Sequence, residues 1–333
     1  MRAVVLRAFG PPERLVIEER PDPRPGPGQA VVSVEFASIT FVETQVRAGK
    51  PPNPAMLPQR PAVLGNGVGG VVTSVGANVG PDLVGRRVVT TTGGSGGYAE
   101  QVAVDASGLL DVPAGLGLAD AVALLADGRT AVGLVDLAEI KKEETVLIEA
   151  AAGGVGSLLV QLASSAGATV VAAAGGGRKV NLVRDLGAAV AVDYTELGWA
   201  ARVRAEVGGL NVVFDGVGGH IGTTSFGLLD EGGRFVPYGM ASGTFTRIPE
   251  AEAANRRVTV LRSVPRDAAA LNELTRRALD EASAGRLRPI IGQTFALDRA
   301  ADAHAAISSR ATIGKTLLVV RPDLASTTGS HMP

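Results

Sequence analysis

The sequence predicts an α/β protein with two domains, a β-rich N-terminal domain and a domain built on a doubly wound parallel sheet. The first observation is its length, because 333 residues make about two domains of ordinary size. The second is that residues 1–115 hold short β-branched runs separated by proline and glycine, which is typical of an irregular, mostly antiparallel unit. The third is that apolar runs alternate with helical stretches from about residue 117 onward, the pattern of βαβ units.

The N-terminal part is predicted to consist mainly of strands. Two proline-rich segments, Pro21–Pro27 and Pro51–Pro61, lie between runs of Val and Ile. The clearest of these runs are Ala30–Phe36, Val71–Val75 and Arg87–Thr91. Short runs of this composition between turn residues favour strands over helices.

The second part is predicted to form a parallel sheet with connecting helices. Its predicted strands are Thr145–Glu149, Thr169–Ala173, Ala189–Val192, Asn211–Asp215, Arg234–Tyr238 and Thr259–Leu261. From Val155 to Ala166 the apolar residues recur with the spacing of one helix face. A further helix is predicted over Asp267–Ala284, ended by Gly285, and a strand–helix–strand pattern follows to Val320. Residues 322–333 are polar and end in TTGSHMP, so we expect a disordered tail or a cloning scar.

The composition excludes several classes of function. The chain has no cysteine, which excludes disulfides, cysteine zinc sites, iron–sulfur clusters and a cysteine nucleophile. Its formal net charge of −1 gives no general attraction to nucleic acid or to an anionic membrane. No window approaches 18 uninterrupted apolar residues, and the first ten residues lack the apolar core of a signal peptide. We therefore expect a soluble, cytoplasmic protein.

Two glycine-rich stretches match known motifs in letters but not in context. Gly65–Gly70 satisfies G-x-G-x-x-G, but a predicted strand follows it where a dinucleotide site needs a helix. Gly93–Gly97 matches the nucleophile pattern G-x-S-x-G, but it too runs into a predicted strand, Tyr98–Val104. Both stretches are therefore predicted to be turns, and a serine hydrolase is disfavoured.

The stretch from Ala150 to Gly156, AAAGGVG, has the right context. It lies between the predicted strand Thr145–Glu149 and the amphipathic helix that follows, although Ala151 replaces the first glycine of the motif. Gly153 and Gly154 would let the backbone approach a diphosphate, and Gly156 would allow close packing of helix and strand. The N-terminus of a helix attracts an anion through its dipole and its N–H groups. The alternative is a structural turn that binds nothing, but strand, loop and helix together favour a nucleotide site.

The end of the next strand indicates NADPH rather than NADH. An NAD site places Asp or Glu there to bind the ribose 2′-hydroxyl. Here Ala173 is followed by Ala-Gly-Gly-Gly, then by Arg178 and Lys179 at the start of the next predicted helix. The missing acid is the stronger part of this inference, since the two cations would also suit a solvated helix face.

These residues resemble the zinc-independent medium-chain dehydrogenase/reductase superfamily, in particular its quinone oxidoreductase branch, which includes ζ-crystallin. The resemblance covers about residues 1–320. The opening MRAVVLRAFGPPERLVIEE is similar to the first hairpin of the family, and the ending DRAADAHAAISSRATIGKTLLVV to its last elements. Between them GGYAEQVAV, GRTAVGL, AAAGGVG, VVFDGVGG and GRFVPYGMASG follow in the order of the family.

The resemblance implies a GroES-like β-rich catalytic domain with an inserted Rossmann-type sheet. We expect residues 1–118 and 264–321 to form the GroES-like domain and residues 119–263 the NADPH-binding domain. Zinc-dependent relatives hold their metal through cysteine and a Gly-His-Glu element. Here the corresponding residues are Gly65-Asn66-Gly67 and there is no cysteine, so no metal site is expected. The family also implies a homodimer formed by the edges of two sheets, for which Thr259–Leu261 is a candidate.

The resemblance also assigns cofactor contacts. The diphosphate would meet Gly153, Gly154, Val155 and Gly156, and Thr130 would lie near the nicotinamide. The 2′-phosphate would be held by Lys179, Tyr194 and Arg310, beside Arg178. Val217, Gly218, Tyr238 and Gly239 follow two successive strands, where a doubly wound fold binds its ligand.

The substrate side departs from the family pattern. Relatives often read Asn-x-x-Asp-x-Tyr where this chain has Thr40–Gln45, without a tyrosine. The candidates for the substrate pocket are Thr40, Phe41, Glu43, Gln45 and Asn66. The implied reaction is hydride transfer from NADPH to a quinone or an α,β-unsaturated carbonyl, with Glu43, Tyr238, Thr40 or water as the proton source. The alternatives are an enoyl or tailoring reductase of a biosynthetic pathway that acts on a bulkier or carrier-bound substrate, and a non-catalytic NADPH-binding sensor.

Overall fold

The computed structural model describes residues 1–262 and 267–321. The predicted domain boundary at 263/264 and the predicted tail 322–333 lie outside the described residues. The described residues form two compact units: residues 1–126 with 275–321, and residues 127–262 with 267–274. The predicted division at 118/119 coincides with the first residue of a long helix, and the domain limits stay a prediction.

The first unit is built mostly of strands. In chain order they are β1 (Arg2–Leu6), β2 (Leu15–Glu19), β3 (Gln29–Ile39), β4 (Ala62–Val63), β5 (Gly67–Val75), β6 (Arg87–Thr91), β7 (Gln101–Asp105) and β8 (Leu110–Asp111). Two more, numbered β15 (Ile291–Ala296) and β16 (Lys315–Val319), come from the C-terminal part of the chain, after the six strands of the second unit. The predicted opening hairpin is confirmed, since β1 and β2 pair antiparallel.

The strands of the first unit form two sheets. The smaller has the order β2-β1-β4, and the larger has the order β15-β16-β3-β5-β6-β8, with β7 also paired to β3. The long strand β3 pairs antiparallel with β5, β7 and β16, so it ties the C-terminal strands to the N-terminal ones. Buried Val and Ala side chains of β3 and β5 pack with residues of the C-terminal chain in one core.

The second unit contains one six-stranded sheet. Its strands are β9 (Thr145–Glu149), β10 (Thr169–Ala174), β11 (Val190–Asp193), β12 (Leu210–Asp215), β13 (Leu229–Pro237) and β14 (Thr259–Val260). Their order is β11-β10-β9-β12-β13-β14, and every pair is parallel. This confirms the predicted doubly wound parallel sheet. The order reverses between β9 and β12, which is the switch point where such folds bind ligands at the carboxyl ends of the strands.

Nine helices connect these strands in the described part of the chain. They are α1 (Phe41–Ala48), α2 (Leu118–Ala138), α3 (Gly154–Ser165), α4 (Gly177–Asp185), α5 (Trp199–Val207), α6 (Gly219–Phe226), α7 (Glu250–Asn255), α8 (Ala268–Ser283) and α9 (Ala300–Ser308). The predicted helices α3 and α8 agree with these limits to within two residues. None of these helices is both long and apolar enough to cross a membrane.

Helix α1 is a difference from the sequence analysis, which treated Thr40–Gln45 as a pocket segment. Thr40 caps the helix, because its side chain accepts from the N–H of Glu43 while Glu43 accepts from the N–H of Thr40. The helix ends at Gly49, which has the left-handed conformation with φ of 76°. A capping box of this kind and a left-handed glycine define a short helix at both ends.

Candidate functional site

Most of the predicted cofactor residues lie at the carboxyl edge of the parallel sheet, within the second unit. The structure places them in the loops that follow β9, β10, β11, β12 and β13 or in the first turns of the helices after them. They are Gly153, Gly154, Val155, Gly156, Arg178, Lys179, Tyr194, Val217, Gly218, Tyr238 and Gly239. Thr130 belongs to the same unit, on α2. Only Arg310 belongs to the other unit, just after α9, as an exposed residue with φ of 57°.

The loop between β9 and α3 places the start of a helix at the carboxyl edge of the sheet, beside the switch point. Gly153 is the N-cap residue, with φ of −83° and ψ of 178°, and offers no side chain to cap the helix. The first N–H groups of a helix have no acceptor within it, so they point at whatever lies beyond its N-terminus. A Cβ on Gly156 would overlap the carbonyl oxygen of Ala150 and lie 2.8 Å from the Cα of Ala151. This contact gives Gly156 the close helix–strand approach that the motif requires.

One acidic side chain lies at this helix terminus. The carboxylate of Asp127, on α2, occupies the space that a Cβ on Gly154 would need. Asp127 was not among the predicted site residues. Nothing in the AAAGGVG motif indicates a carboxylate that arrives from a helix preceding β9.

The loop after β10 brings together the residues predicted to bind a 2′-phosphate. β10 ends at Ala174, and a Cβ on Gly175 would lie 3.2 Å from the ring of Tyr194. The carboxylate that contacts this loop belongs to Asp193, at the end of β11, and its hydrogen bonds are made within the chain. It accepts from the N–H of Gly176 (2.8 Å) and from the N–H and hydroxyl of Thr195 (2.9 and 2.6 Å). Burial opposes ionisation of Asp193, but these hydrogen bonds lower its pKa below the ordinary value.

The loops after β12 and β13 are bonded to each other. The N–H groups of Tyr238 and Gly239 both donate to the carbonyl of Asp215, at 2.9 and 3.1 Å. Ser242 donates its N–H to the carbonyl of Val217 at 2.7 Å. Gly218 has a φ of 77°, and a Cβ there would overlap the carbonyl oxygen of Thr244. The two loops therefore form one backbone surface beside the switch point.

Two buried carboxyls lie beneath these loops. Glu149 ends β9 and Asp215 ends β12, and both are completely buried. Burial first, and then the charge of Asp215, raise the pKa of Glu149 well above its usual range. The hydroxyl of Tyr238 donates to the carbonyl of Glu149 at 3.3 Å, and burial together with Glu149 and Asp215 raises the pKa of this phenol. Neither carboxyl is among the predicted site residues, because their proximity depends on the pairing of strands that lie far apart in the chain.

In the first unit, the structure brings together three of the predicted substrate-pocket residues. The N–H and hydroxyl of Thr40 donate to Oε2 of Glu43, at 2.6 and 3.0 Å, and the N–H of Asn66 donates to Oε1 at 2.8 Å. Burial raises the pKa of Glu43, while these hydrogen bonds and the charge of Lys315 act against that rise. Phe41 and Gln45 lie on the same helix and are partly buried. The Glu43 carboxyl is thus a buried capping group, which adds a structural role to that of proton-source candidate.

The two glycine-rich stretches that were predicted to be turns meet in the first unit. Asn66 accepts from the N–H of Gly94 through Oδ1 (2.7 Å), and Gly97 donates its N–H to the carbonyl of Gly65 (2.9 Å). Gly65 has φ of 97°, and a Cβ on it would overlap Tyr98. Strand β5 begins inside the first stretch, at Gly67, so the predicted turn is correct only for Gly65 and Asn66. A strand also follows the second stretch, so neither precedes a helix. The strand predicted over Tyr98–Val104 is β7, which begins at residue 101.

Two family models match the chain. One, described as an alcohol dehydrogenase GroES-like domain, matches residues 26–114, and the other, described as a zinc-binding dehydrogenase, matches residues 154–282. A 2-haloacrylate reductase from Burkholderia is 32% identical over 328 residues, which cover 95% of this chain and 98% of that protein. A quinone oxidoreductase from Pseudomonas aeruginosa is 31% identical, with 96% and 99% covered.

The chain belongs to the quinone oxidoreductase branch of the medium-chain dehydrogenase/reductase superfamily. It is an oxidoreductase of that family. Among solved structures, an Escherichia coli quinone oxidoreductase in complex with NADPH superposes with a TM-score of 0.87 at 27% identity, covering 96% of this chain and all of that one. The predicted family and the predicted fold, a GroES-like domain with a Rossmann-type sheet, are confirmed.

This medium-chain reductase has a histidine buried in the core of its first unit. Nε2 of His304, on α9, lies 3.1 Å from the hydroxyl of Tyr98, and the residue is completely buried. Burial, and then the positive charge of Arg47, lower the pKa of His304 to about 3. The imidazole is therefore neutral at physiological pH and fills the core of the first unit. In residues 1–262 and 267–321 no three His, Cys, Asp or Glu side chains are grouped so that they could hold a metal ion.

Proposed function

We propose that this chain is an NADPH-dependent, zinc-independent reductase that transfers a hydride to the conjugated carbon of a quinone or an α,β-unsaturated carbonyl compound. The observation that carries the proposal is the N-terminus of α3. It has a glycine N-cap without a side-chain acceptor and opens at the switch point of a parallel sheet. A helix terminus in that position fits the diphosphate of a dinucleotide.

The preference for NADPH is supported by the loop after β10. The strand ends in Ala174 without a carboxylate that could bind a ribose 2′-hydroxyl, and Asp193 is engaged by Gly176 and Thr195. Arg178 and Lys179 stand in the first turn of α4, where a 2′-phosphate would benefit from their charge. The E. coli quinone oxidoreductase with a similar fold was crystallised with NADPH.

The class of acceptor is supported by the names of the relatives. One is a quinone oxidoreductase and another is a 2-haloacrylate reductase. A quinone and a haloacrylate share a carbon–carbon double bond conjugated to an electron-withdrawing group. Such an acceptor delocalises the charge that arrives with a hydride, so neither a metal nor a covalent nucleophile is required.

The N-terminus of α3 and the loops after β12 and β13, which we call the cofactor cradle, would bind and orient the cofactor. NADPH, when bound, supplies the hydride and both electrons of the reduction. The N-terminus of α3 would hold the diphosphate, and the bonded loops after β12 and β13 would face the nicotinamide, with Thr130 of the same unit also assigned to that end. A proton must then reach the reduced carbon skeleton, and the raised pKa of the Tyr238 phenol makes it a poor donor at neutral pH.

The experiment measures the oxidation of NADPH and NADH by the purified protein against a benzoquinone, 2-cyclohexenone, 2-chloroacrylate and a carrier-bound enoyl thioester. We expect turnover with NADPH, and we expect Lys179→Ala to raise the KM for NADPH by about tenfold through loss of a charge-assisted hydrogen bond. The KM for NADH should change little. The control is Arg184→Ala in the last turn of the same helix, where the guanidinium bonds Asn181.

Three outcomes would contradict parts of the proposal. Equal effects of Lys179→Ala on both cofactors would exclude the 2′-phosphate contact. Turnover restricted to a carrier-bound enoyl thioester would favour the biosynthetic reductase. If no acceptor oxidises NADPH that is shown to bind, the proposed acceptor class is wrong.

A further inference from the structure

Glu149 and Asp215 stand side by side at the switch point of the sheet. Strands β9 and β12 are neighbours, with Ile148 opposite Phe214 in the register, so the next residue of each strand is opposite the other. Residues opposite each other on parallel neighbours point to the same face. Both side chains are completely buried, and both accept from the same N–H group, that of Val217, at 3.3 and 3.1 Å.

Two carboxyls that accept from the same N–H group in a buried site are too close for both to be ionised. Asp215 accepts a second and shorter hydrogen bond, 2.6 Å from the N–H of Gly218, whereas the bond from Val217 to Glu149 is 3.3 Å long. Among the described residues, Oε1 of Glu149 and Oδ2 of Asp215 have no hydrogen-bond partner. A proton on Glu149 supplies the donor that this pair of acceptors lacks.

Within the described residues, the groups with the largest effect on the Glu149 carboxyl include no cation that could take the place of a proton. They are Asp215, the hydroxyl of Ser225 on α6 and the N–H of Val217. Tyr238, which follows β13, also faces the pair, and Asp127 and Tyr194 act on its phenol. The hydroxyl of Thr246 is buried, has no partner among the described residues, and lies with Oδ2 of Asp215 around the space above Gly222. All of these neighbours are neutral or acidic.

We propose that Glu149 and Asp215 share one proton and act as a positioning pair, which holds the Val217–Gly218 segment of the cofactor cradle in place. The importance of that segment for the cofactor rests on the proposed function, whereas the shared proton does not. Asp215 anchors the two N–H groups, and the proton on Glu149 keeps two negative charges from meeting beneath them. Loss of the proton would place two negative charges there and release the segment.

The proposal predicts a direction for stability against pH. Glu149 keeps its proton in the folded protein at pH values where the unfolded chain has lost it. Its contribution to the free energy of unfolding is therefore complete below the ordinary pKa of Glu, about 4.3, and is lost as the pH rises through the raised value. A Glu149→Gln variant carries an uncharged amide at every pH and would not show this loss.

The first experiment compares thermal midpoints of the wild type and Glu149→Gln from about pH 5 to about pH 9. We expect the midpoint of the variant, relative to the wild type, to rise as the pH rises. The matched control is Asp193→Asn at the end of β11, another buried carboxyl of the same sheet edge. Because the pKa of Asp193 is lowered, that variant should lose stability relative to the wild type at neutral pH. If the difference in thermal midpoint between Glu149→Gln and the wild type does not change with pH, the two carboxyls do not share a proton.

The second experiment uses the wild type and does not depend on how the variant folds. The infrared spectrum of the wild type at neutral pH should show the C=O stretch of a protonated carboxylic acid. The absence of this band would also overturn the proposal. Where Glu149→Gln folds, the same band should be missing from it.

The third measurement tests the positioning role through the Kd for NADPH. We expect the wild-type Kd to rise by about tenfold between neutral and alkaline pH, and that of Glu149→Gln to stay level. Identical pH profiles of the two proteins would exclude a positioning role. If the wild type binds no NADPH at any pH while its acid band is present and is missing from Glu149→Gln, the proposed function fails and the shared proton stands.

Discussion

At the scale of single residues, Asp127 is the side chain whose position is hardest to reconcile with an anionic ligand. Its carboxylate lies beside Gly154, at the helix terminus that is proposed to hold a diphosphate. Like charges at one helix terminus compete for the same dipole and the same N–H groups. The proposed diphosphate site therefore contains a carboxylate of the protein before any ligand binds.

We expect Asp127→Asn to tighten the binding of NADPH by about two- to fivefold, because it removes the competing charge and keeps the shape of the side chain. The effect should shrink as salt is added, since screening weakens the repulsion. Titration calorimetry at low and high salt measures both effects. Asp136→Asn removes the same charge from an exposed position of the same helix and should change the Kd little. Weaker binding by Asp127→Asn would mean that Asp127 accepts a hydrogen bond from the cofactor.

At the scale of one element, two glycines of the β9–α3 turn have different roles. Gly156 is needed for the packing of helix on strand, and Gly153 lets a ligand approach the backbone. A Cβ on Gly156 meets the backbone of Ala150 and Ala151, which cannot move without shifting β9. At Gly153 the nearest atom is the carbonyl oxygen of Ala150 at 3.2 Å, and φ is −83°. An alanine at Gly153 therefore needs a shift of only a few tenths of an ångström, whereas an alanine at Gly156 would overlap the backbone outright.

We expect Gly156→Ala to lower the free energy of unfolding by about 1–3 kcal/mol, the usual cost of overpacking. Gly153→Ala should lower it much less, although its methyl group would stand where the backbone is proposed to approach the diphosphate. Urea unfolding of the two variants measures the difference. Equal losses of stability would contradict this assignment of the two glycines.

The strands of the parallel sheet could be predicted from the sequence because each is a compact apolar run between helices. Five of the six predicted runs agree with β9–β12 and β14 to within about one residue at either end, whereas β13 begins five residues before Arg234. Helix α1 was missed, since its capping box of Thr40 and Glu43 stands in a segment that the family resemblance marked as substrate pocket. The Glu149–Asp215 pair was missed for another reason. It needs the register between two strands that lie far apart in the chain, which no local pattern contains.

At the scale of the whole molecule, the open question is how the six-stranded sheet ends. β14 lies at its edge and pairs with β13, and no other described strand pairs with it. An edge strand presents N–H and C=O groups that can pair with another chain. The family resemblance implies a homodimer formed by sheet edges, with Thr259–Leu261 as a candidate edge, and the edge position of β14 makes that expectation specific enough to test.

We expect the protein to be a dimer joined through the outer edge of β14, and Val260→Pro to make it monomeric. The N–H of Leu261 donates to the carbonyl of Phe235, on the side of β13. Successive N–H groups of a strand alternate in direction, so the N–H of Val260 points away from β13. Proline at this position removes only the outward donor. Light scattering gives the mass of each protein in solution, and Val260→Ala, which keeps the N–H, should remain dimeric. A monomeric wild type, or a Val260→Pro variant that stays dimeric, would exclude pairing through this edge.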